Sequence, residues 1–174
     1  MAFNVATFRS KMLNGGARAN LFEVMLSTPA YNKLDSERLS FMCKAASFPE
    51  RTVGVIELGY FGRKIKIAGN RTFAEWQLTV YNDEDFLIRD SLERWSNSVA
   101  SISTLDEKQR SNGATSSPNS YISTAFITQY TKNGQKGKTY TFVNVWPSVI
   151  GSIETDWDTN DAIQTYTVTL QYDY

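Results

Sequence analysis

Histidine is missing from the 174-residue sequence altogether. That absence removes the usual general base near neutral pH and the commonest metal ligand. Ser-His-Asp, Cys-His and histidine-based metal sites are therefore excluded. Cysteine is nearly missing too. The one thiol, Cys43, cannot form a disulfide within the chain, and its apolar neighbourhood (Leu39, Phe41, Ala45) reads as that of a buried structural thiol. Net charge is also lacking, because 18 Lys and Arg balance 18 Asp and Glu. A balanced chain has no strong drive toward nucleic acid or anionic membrane, and little that opposes self-association. No run of about 18 apolar residues exists to span a bilayer. The start, MAFNVATFRSKMLNGG, has no apolar signal region, so a soluble protein made in a cytosol is expected.

The 19.7 kDa chain is long enough to bury a real core and is read as one domain over residues 1–174. Residues 1–19 form a leader in which Val5, Phe8 and Met12 share one face of a short helix, broken at Gly15-Gly16. A strand is predicted over 21–27 (LFEVMLS) and a second over 37–46, with Leu39, Phe41, Cys43 and Ala45 on one face. Residues 50–70 read as a β-hairpin arm. Its strands are 52–58 and 63–68, its turn is Gly59-Tyr60-Phe61-Gly62, and Lys64 and Lys66 alternate with Ile65 and Ile67. An isolated hairpin is marginal in water, so such an arm needs something to lie against. Gly69-Asn70 is a turn signal, and 72–81 (TFAEWQLTVY) then alternates, with Ala74, Trp76, Leu78 and Val80 inward.

A helix is predicted over 83–99. Asn82 or Asp83 is its cap, Glu84 and Asp85 lie in its first turn, and Ile88, Leu92, Trp95 and Val99 form its apolar stripe. Residues 106–120 are polar and read as a long surface loop. Strands follow at 121–130, 139–146 and 149–157, the last two joined by Pro147-Ser148. The final run, 163–174, alternates with Tyr166, Val168, Leu170 and Tyr172 on one side. The sum is mainly β: an antiparallel β-sandwich or partial barrel with one main helix and an extended hairpin.

No catalytic or cofactor constellation emerges. Asp83-Glu84-Asp85 is a helix start, and Asp156, Asp158 and Asp161 lack the glycine and closing glutamate of a calcium loop. GYFGRK lacks the spacing of a phosphate-cradling loop. Lys64, Lys66 and Arg71 are too few to define a nucleic-acid site. The features point to assembly. The strands at 72–81 and 163–174 have polar outer faces rich in Thr and Gln, and unpaired strand edges recruit other chains. A ring of identical subunits can close such edges into one barrel. A monomeric carbohydrate-binding β-sandwich using exposed Tyr and Trp is the reading from another class, and size measured across concentration separates the two.

Several residue groups carry a resemblance. They are Ala19-Asn20-Leu21-Phe22, Cys43-Lys44-Ala45 with Pro49, Arg63-Lys64-Ile65 with Ala68-Gly69, and Arg71-Thr72-Phe73 with Trp76. Val80 with Asn82-Asp83-Glu84, Trp146-Pro147, Asp156-Trp157-Asp158, Ile163-Gln164-Thr165 and Val168-Thr169-Leu170 continue it in the same order. With these the chain resembles the tail tube proteins of contractile-tailed (T-even-like) bacteriophages. The resemblance implies a structural virion protein, not an enzyme, with no cofactor and no metal. It implies self-assembly in the host cytoplasm into hexameric rings, whose inner sheets join as a β-barrel lumen. The rings stack into a tube inside a contractile sheath, and double-stranded genome DNA is ejected through the lumen. Implied partners are the chain itself and the sheath, baseplate, tape-measure and tail terminator proteins, with no membrane. The arm is expected to contact the neighbouring ring through Arg51, Val53, Ile56, Tyr60, Phe61, Arg63, Lys64 and Lys66. The lumen-facing residues are expected to be Glu75, Gln77, Thr79, Thr165, Thr167, Thr169 and Gln171, a wall without Lys or Arg. The alternative is the tube of a pyocin, type VI-like or other contractile injection system carrying protein cargo.

Overall fold

The computed structural model describes residues 4–12, 15–29, 32, 34–99 and 121–174. The loop expected over 106–120 lies outside the described residues. Among the described residues, three helices and eight strands are defined. In chain order they are α1 (Val5–Lys11), β1 (Phe22–Leu26), α2 (Ser36–Met42), β2 (Cys43–Ala46), β3 (Arg51–Tyr60), β4 (Arg63–Phe73), β5 (Trp76–Tyr81), α3 (Leu87–Val99), β6 (Ser123–Tyr130), β7 (Lys136–Ile150) and β8 (Thr165–Gln171).

Among the described residues, six strands form one antiparallel sheet in the order β1-β6-β7-β8-β5-β2, while β3 and β4 pair only with each other. The 15-residue β7 is the corner of the sheet. Its first part pairs with β6 up to Val145, and its last part, from Trp146, pairs with β8. Asn144, at φ 59°, lies just before the change of partner. A strand that bends in this way lets one sheet fold across itself. Trp76 of β5 then stacks on Phe142 of β7 at 4.0 Å between ring centroids, and the edge strands β1 and β2 come into contact beside α2. The core between the two halves takes alternate residues from each strand: Val24 and Leu26, Leu78 and Val80, Ala125 and Ile127, Val168 and Leu170. Helix α3 lies against β7 and buries Ile88, Leu92 and Trp95, as its stripe predicts. The indole N–H groups of the two buried tryptophans are satisfied: Trp76 donates to the Ser47 carbonyl and Trp95 to that of Tyr121.

Several boundaries differ from the sequence reading. Residues 37–46 are not one strand but α2 followed by the four-residue β2. The Asp35 carboxylate accepts from the N–H groups of Glu37 and Arg38 at 3.1 Å and starts the helix. Leu39 and Cys43 are four residues apart, so they share a face in either structure. Phe41, expected on that face, is 77% exposed. Gly69-Asn70 is not a turn. Both residues lie inside β4, opposite Gly54, where the pairing jumps from Val53↔Arg71 to Val55↔Ala68. Glycine suits this close approach, because a Cβ on Gly69 would meet the Gly54 carbonyl oxygen at 3.1 Å and push the strands apart by a few tenths of an ångström. The strand read over 72–81 is consequently split, with residues 72–73 closing β4 and β5 starting at Trp76; Ala74 is exposed.

Helix α3 starts at Leu87 rather than at 83. Residues 83–86 make a turn in which Phe86, at φ 53°, donates to the Asp83 carbonyl, and the Asp85 carboxylate receives the Leu87 N–H at 3.3 Å. The acidic cluster caps the helix from outside it. Finally, Pro147-Ser148 does not separate two strands, and residues 151–164 are irregular rather than a strand. Pro147 is tolerated because it sits at an irregularity in the pairing with β8.

Candidate assembly surfaces

The first surface is the outer face of the β5–β8 pair. The two strands with Thr- and Gln-rich faces are immediate neighbours, in a register that sets Gln77 opposite Thr169, Thr79 opposite Thr167 and Tyr81 opposite Thr165. The inward partners, Trp76↔Leu170, Leu78↔Val168 and Val80↔Tyr166, are all buried. Strict period-two alternation on both strands produces one dry and one wet face. Glu75, just before β5, accepts a 2.9 Å hydrogen bond from the Gln171 side-chain amide and joins the wet face at its end. Gln77 and Thr167 are exposed and Thr79 and Thr165 half-buried, but Thr169 is only 7% exposed, enclosed between Gln77 and Val149 of β7. The face has two features that the sequence reading missed. Val149 is exposed beside Thr169. Lys44, placed at an irregularity of β2, holds its ammonium 5.5 Å from the centre of the Tyr81 ring. The strands β5 and β8 carry no Lys or Arg on this face, but a cation enters from the neighbouring strand. The alternation of each strand was visible in the sequence, whereas the neighbouring strand was not.

The second surface is the β3–β4 hairpin. Ile56↔Ile67 and Leu58↔Ile65 place four aliphatic side chains on one face, followed by Tyr60↔Arg63. Glu57↔Lys66 and Gly59↔Lys64 lie on the other, where Lys64 pairs with Glu57 at 2.8 Å. Tyr60 and Phe61 meet edge to face at 4.6 Å, and Phe61 at the turn is 90% exposed. The aliphatic face is exposed along its length. The hairpin touches the body at its base, where the Arg51 guanidinium lies 5.9 Å from the Tyr140 ring and Phe73 packs on Tyr172. Of the predicted arm residues, Ile56, Tyr60, Phe61, Arg63, Lys64 and Lys66 therefore stand beyond the bulge, while Arg51 and Val53 belong to the base. Leu58 completes the aliphatic face, and its alternation with Ile56 and Tyr60 was the signal for it.

The chemistry of these surfaces is mechanical. Burial pushes the Cys43 thiol up to about 11 and the Tyr166 phenol up to about 12, so both stay protonated at neutral pH. The Arg38 guanidinium binds Asp83 and, at 2.6 Å, Asp85, and this lowers the Asp83 carboxyl below its usual range. That contact ties α2 to the turn before α3. Among the described residues, no cluster of three or more metal-ligating side chains occurs, and no helix is long and apolar enough to cross a membrane.

The family described as phage tail tube protein matches residues 17–174. The chain is 35% identical to tail tube protein gp19 of Enterobacteria phage T4 over 159 residues, covering 91% of this chain and 90% of the relative. It is 25% identical to the tail tube protein of Serratia phage KSP90 over 172 residues, covering 97% and 93%. In fold it is similar to a chain of the sheath/tube terminator of the extracellular contractile injection system PVC (TM-score 0.66, 16% identity, 94% and 96% covered). It is also similar to a chain of the anti-feeding prophage baseplate (TM-score 0.63, 13% identity, 91% and 92% covered).

Proposed function

This chain belongs to the phage tail tube protein family, and from that premise we infer that it is the repeating unit of a hollow tube through which genome DNA leaves the particle. It is a structural component of a contractile phage tail, not an enzyme, and its work is self-assembly. In the reading we propose, six copies close into a ring in host cytoplasm. The β5–β8 faces then join as the inner wall of one barrel, and rings stack within a sheath on a baseplate, with length and end set by tape-measure and terminator proteins.

The observation that carries this reading is the wet β5–β8 face. It is broad, polar and uncharged on those two strands, yet lies over the best-buried part of the core. A wall for DNA must not grip phosphate, since each Lys or Arg that neutralises a phosphate adds affinity through counterion release. Thr and Gln interact with water and leave the polymer free to slide. The edges of this half-sheet suit ring closure: β2 is short, and, among the described residues, residues 146–150 of β7 pair on one side only, with β8. Such open edges pair readily with another chain.

The test is to place charge on the wall. Gln77→Lys with Thr167→Lys leaves the inward-facing core untouched, so particles assemble with normal tubes in negative-stain images. DNA ejection from them is slowed or blocked, read as the fraction of genome released with time. Normal ejection from lysine-walled tubes overturns the assignment of this face to the lumen. A purified wild-type chain that forms neither rings nor tubes in concentrated solution or on isolated baseplates overturns the tube reading itself.

A further inference from the structure

We propose that the loop at residues 151–164, with Trp157 in its turn, is the receptor for the β3–β4 hairpin of a second copy of this chain. The inference rests on the tube reading and names the surface that the arm engages. Charge is segregated within this chain, although its net charge is zero. Residues 51–73 hold five basic side chains and one acid, whereas residues 151–164 hold four acids and no base. Among the described residues Arg63, Lys66 and Arg71 form no ion pair, nor do Glu154, Asp156, Asp158 and Asp161. Opposite charges left unpaired at two places on one molecule are complementary between copies.

The apolar groups match in the same way. The hairpin ends in Tyr60 and Phe61 above an uncovered aliphatic face. The loop presents Trp157, fully exposed, and Ile163, 71% exposed. The loop encloses an open hollow of about 580 Å³ that Glu154, Asp156, Thr159 and Ile163 help to line. An aromatic tip flanked by cations fits a hollow lined by the Glu154 and Asp156 carboxylates, and the Trp157 indole, next to Asp156 in the chain and fully exposed, offers a face on which Arg and Lys also stack.

The topology puts the two features at opposite ends of the wall. The hairpin joins β5 at Trp76, which pairs with Leu170, whereas the loop runs into β8 at Thr165, opposite Tyr81 at the far end of β5. Six residues of strand separate the ends by roughly 20 Å. The hairpin of one copy and the loop of the next therefore meet head to tail along the strands, the heterologous contact that builds an open stack. The ten-residue strand β3 is itself roughly 33 Å long, enough to reach a neighbouring ring.

Charge reversal tests this in the full chain. Asp156→Lys with Asp158→Lys, and separately Arg63→Glu with Lys66→Glu, each cut tube formation by about tenfold or more while single rings and far-ultraviolet circular dichroism stay unchanged. The chain carrying all four changes recovers tubes. Normal tubes from the loop-reversed chain, or no recovery in the fourfold variant, overturns the inference and leaves the tube reading standing. A second readout does not depend on charge. Phe61→Cys with Trp157→Cys, oxidised after assembly, gives a ladder of disulfide-linked multimers on a non-reducing gel. Monomer alone overturns the pairing. Wild-type chain that makes no tubes under these conditions overturns both.

Discussion

The hairpin and the β5–β8 pair are built from the same local pattern and end in opposite situations. Both are antiparallel pairs with an apolar face backed by a more polar one, Thr and Gln on β5 and β8, and Glu57, Lys64 and Lys66 on the hairpin beyond Val55↔Ala68. On β5 and β8 the apolar face is covered by the rest of the chain, and the exposed surface is Thr and Gln. On β3 and β4 the apolar face is bare. Burying a large aliphatic side chain gains about 1.5–3 kcal/mol, so four left in water represent binding energy that the monomer does not use. One pair stabilises the fold. The other is poised to stabilise an assembly. Secondary structure alone does not separate these roles, and what covers each face does.

That contrast can be broken from either side. The largest effect is expected from the arm. Replacing residues 54–69 by a short turn joins Val53 to Asn70-Arg71 at the last regular pair below the bulge. Tubes should be abolished in electron micrographs, while the melting temperature of the unassembled chain moves by no more than about 2 °C, since residues 54–69 contribute no side chain to the body's core. A large fall in melting temperature would mean that the arm is part of the fold. The converse change is Trp76→Ala. It removes a fully buried indole that stacks on Phe142 and donates to the Ser47 carbonyl. The expected cost is about 3–5 kcal/mol, read by urea denaturation of the monomer. The arm deletion spares the monomer and ends assembly; Trp76→Ala strikes the monomer first.

Legibility from the sequence followed the same division. On β5, β8 and α3, where the rest of the chain covers the apolar face, the pattern told the truth. The inward sets on β5 and β8 and the Ile88–Leu92–Trp95 stripe are the core they were expected to be. The hairpin was also legible, because Lys and Ile alternate there without ambiguity. Failures came where one spacing serves two structures. Leu39 and Cys43 satisfy a helix as well as a strand, and the Asp35 cap decided between them. Gly69-Asn70 and Pro147-Ser148 are turn residues by composition, yet each is absorbed at an irregularity inside a longer strand. Only a partner strand can show that. Likewise Lys44 reaches the wet face through its position beside Tyr81, a neighbour 37 residues away that no local pattern names.

The smallest expected effect contrasts an ion pair in each region. Arg38 bridges Asp83 and Asp85 at partly covered positions in the body, whereas Lys64 and Glu57 pair on the open hairpin, with 74% and 42% of their side chains exposed. The Arg38 contact, together with the Glu84 N–H, lowers the folded Asp83 carboxyl. A lowered folded value means that the stabilisation is fully present above the ordinary aspartate value of about 3.9 and is lost as pH falls below it toward the folded value. Melting of the arm-deleted chain, followed from pH 6 down to pH 2.5, should therefore show a steeper acid loss for the parent than for its Asp83→Asn derivative. The derivative should be the less stable of the two at pH 6. Glu57→Gln, placed in the full-length chain, should leave the monomer's acid limb unchanged, because an exposed pair is screened by solvent and contributes little. Parallel acid limbs for Asp83→Asn and its parent would show that α2 is held by its packing against β1, and that the charged contact to the turn before α3 adds nothing to the body.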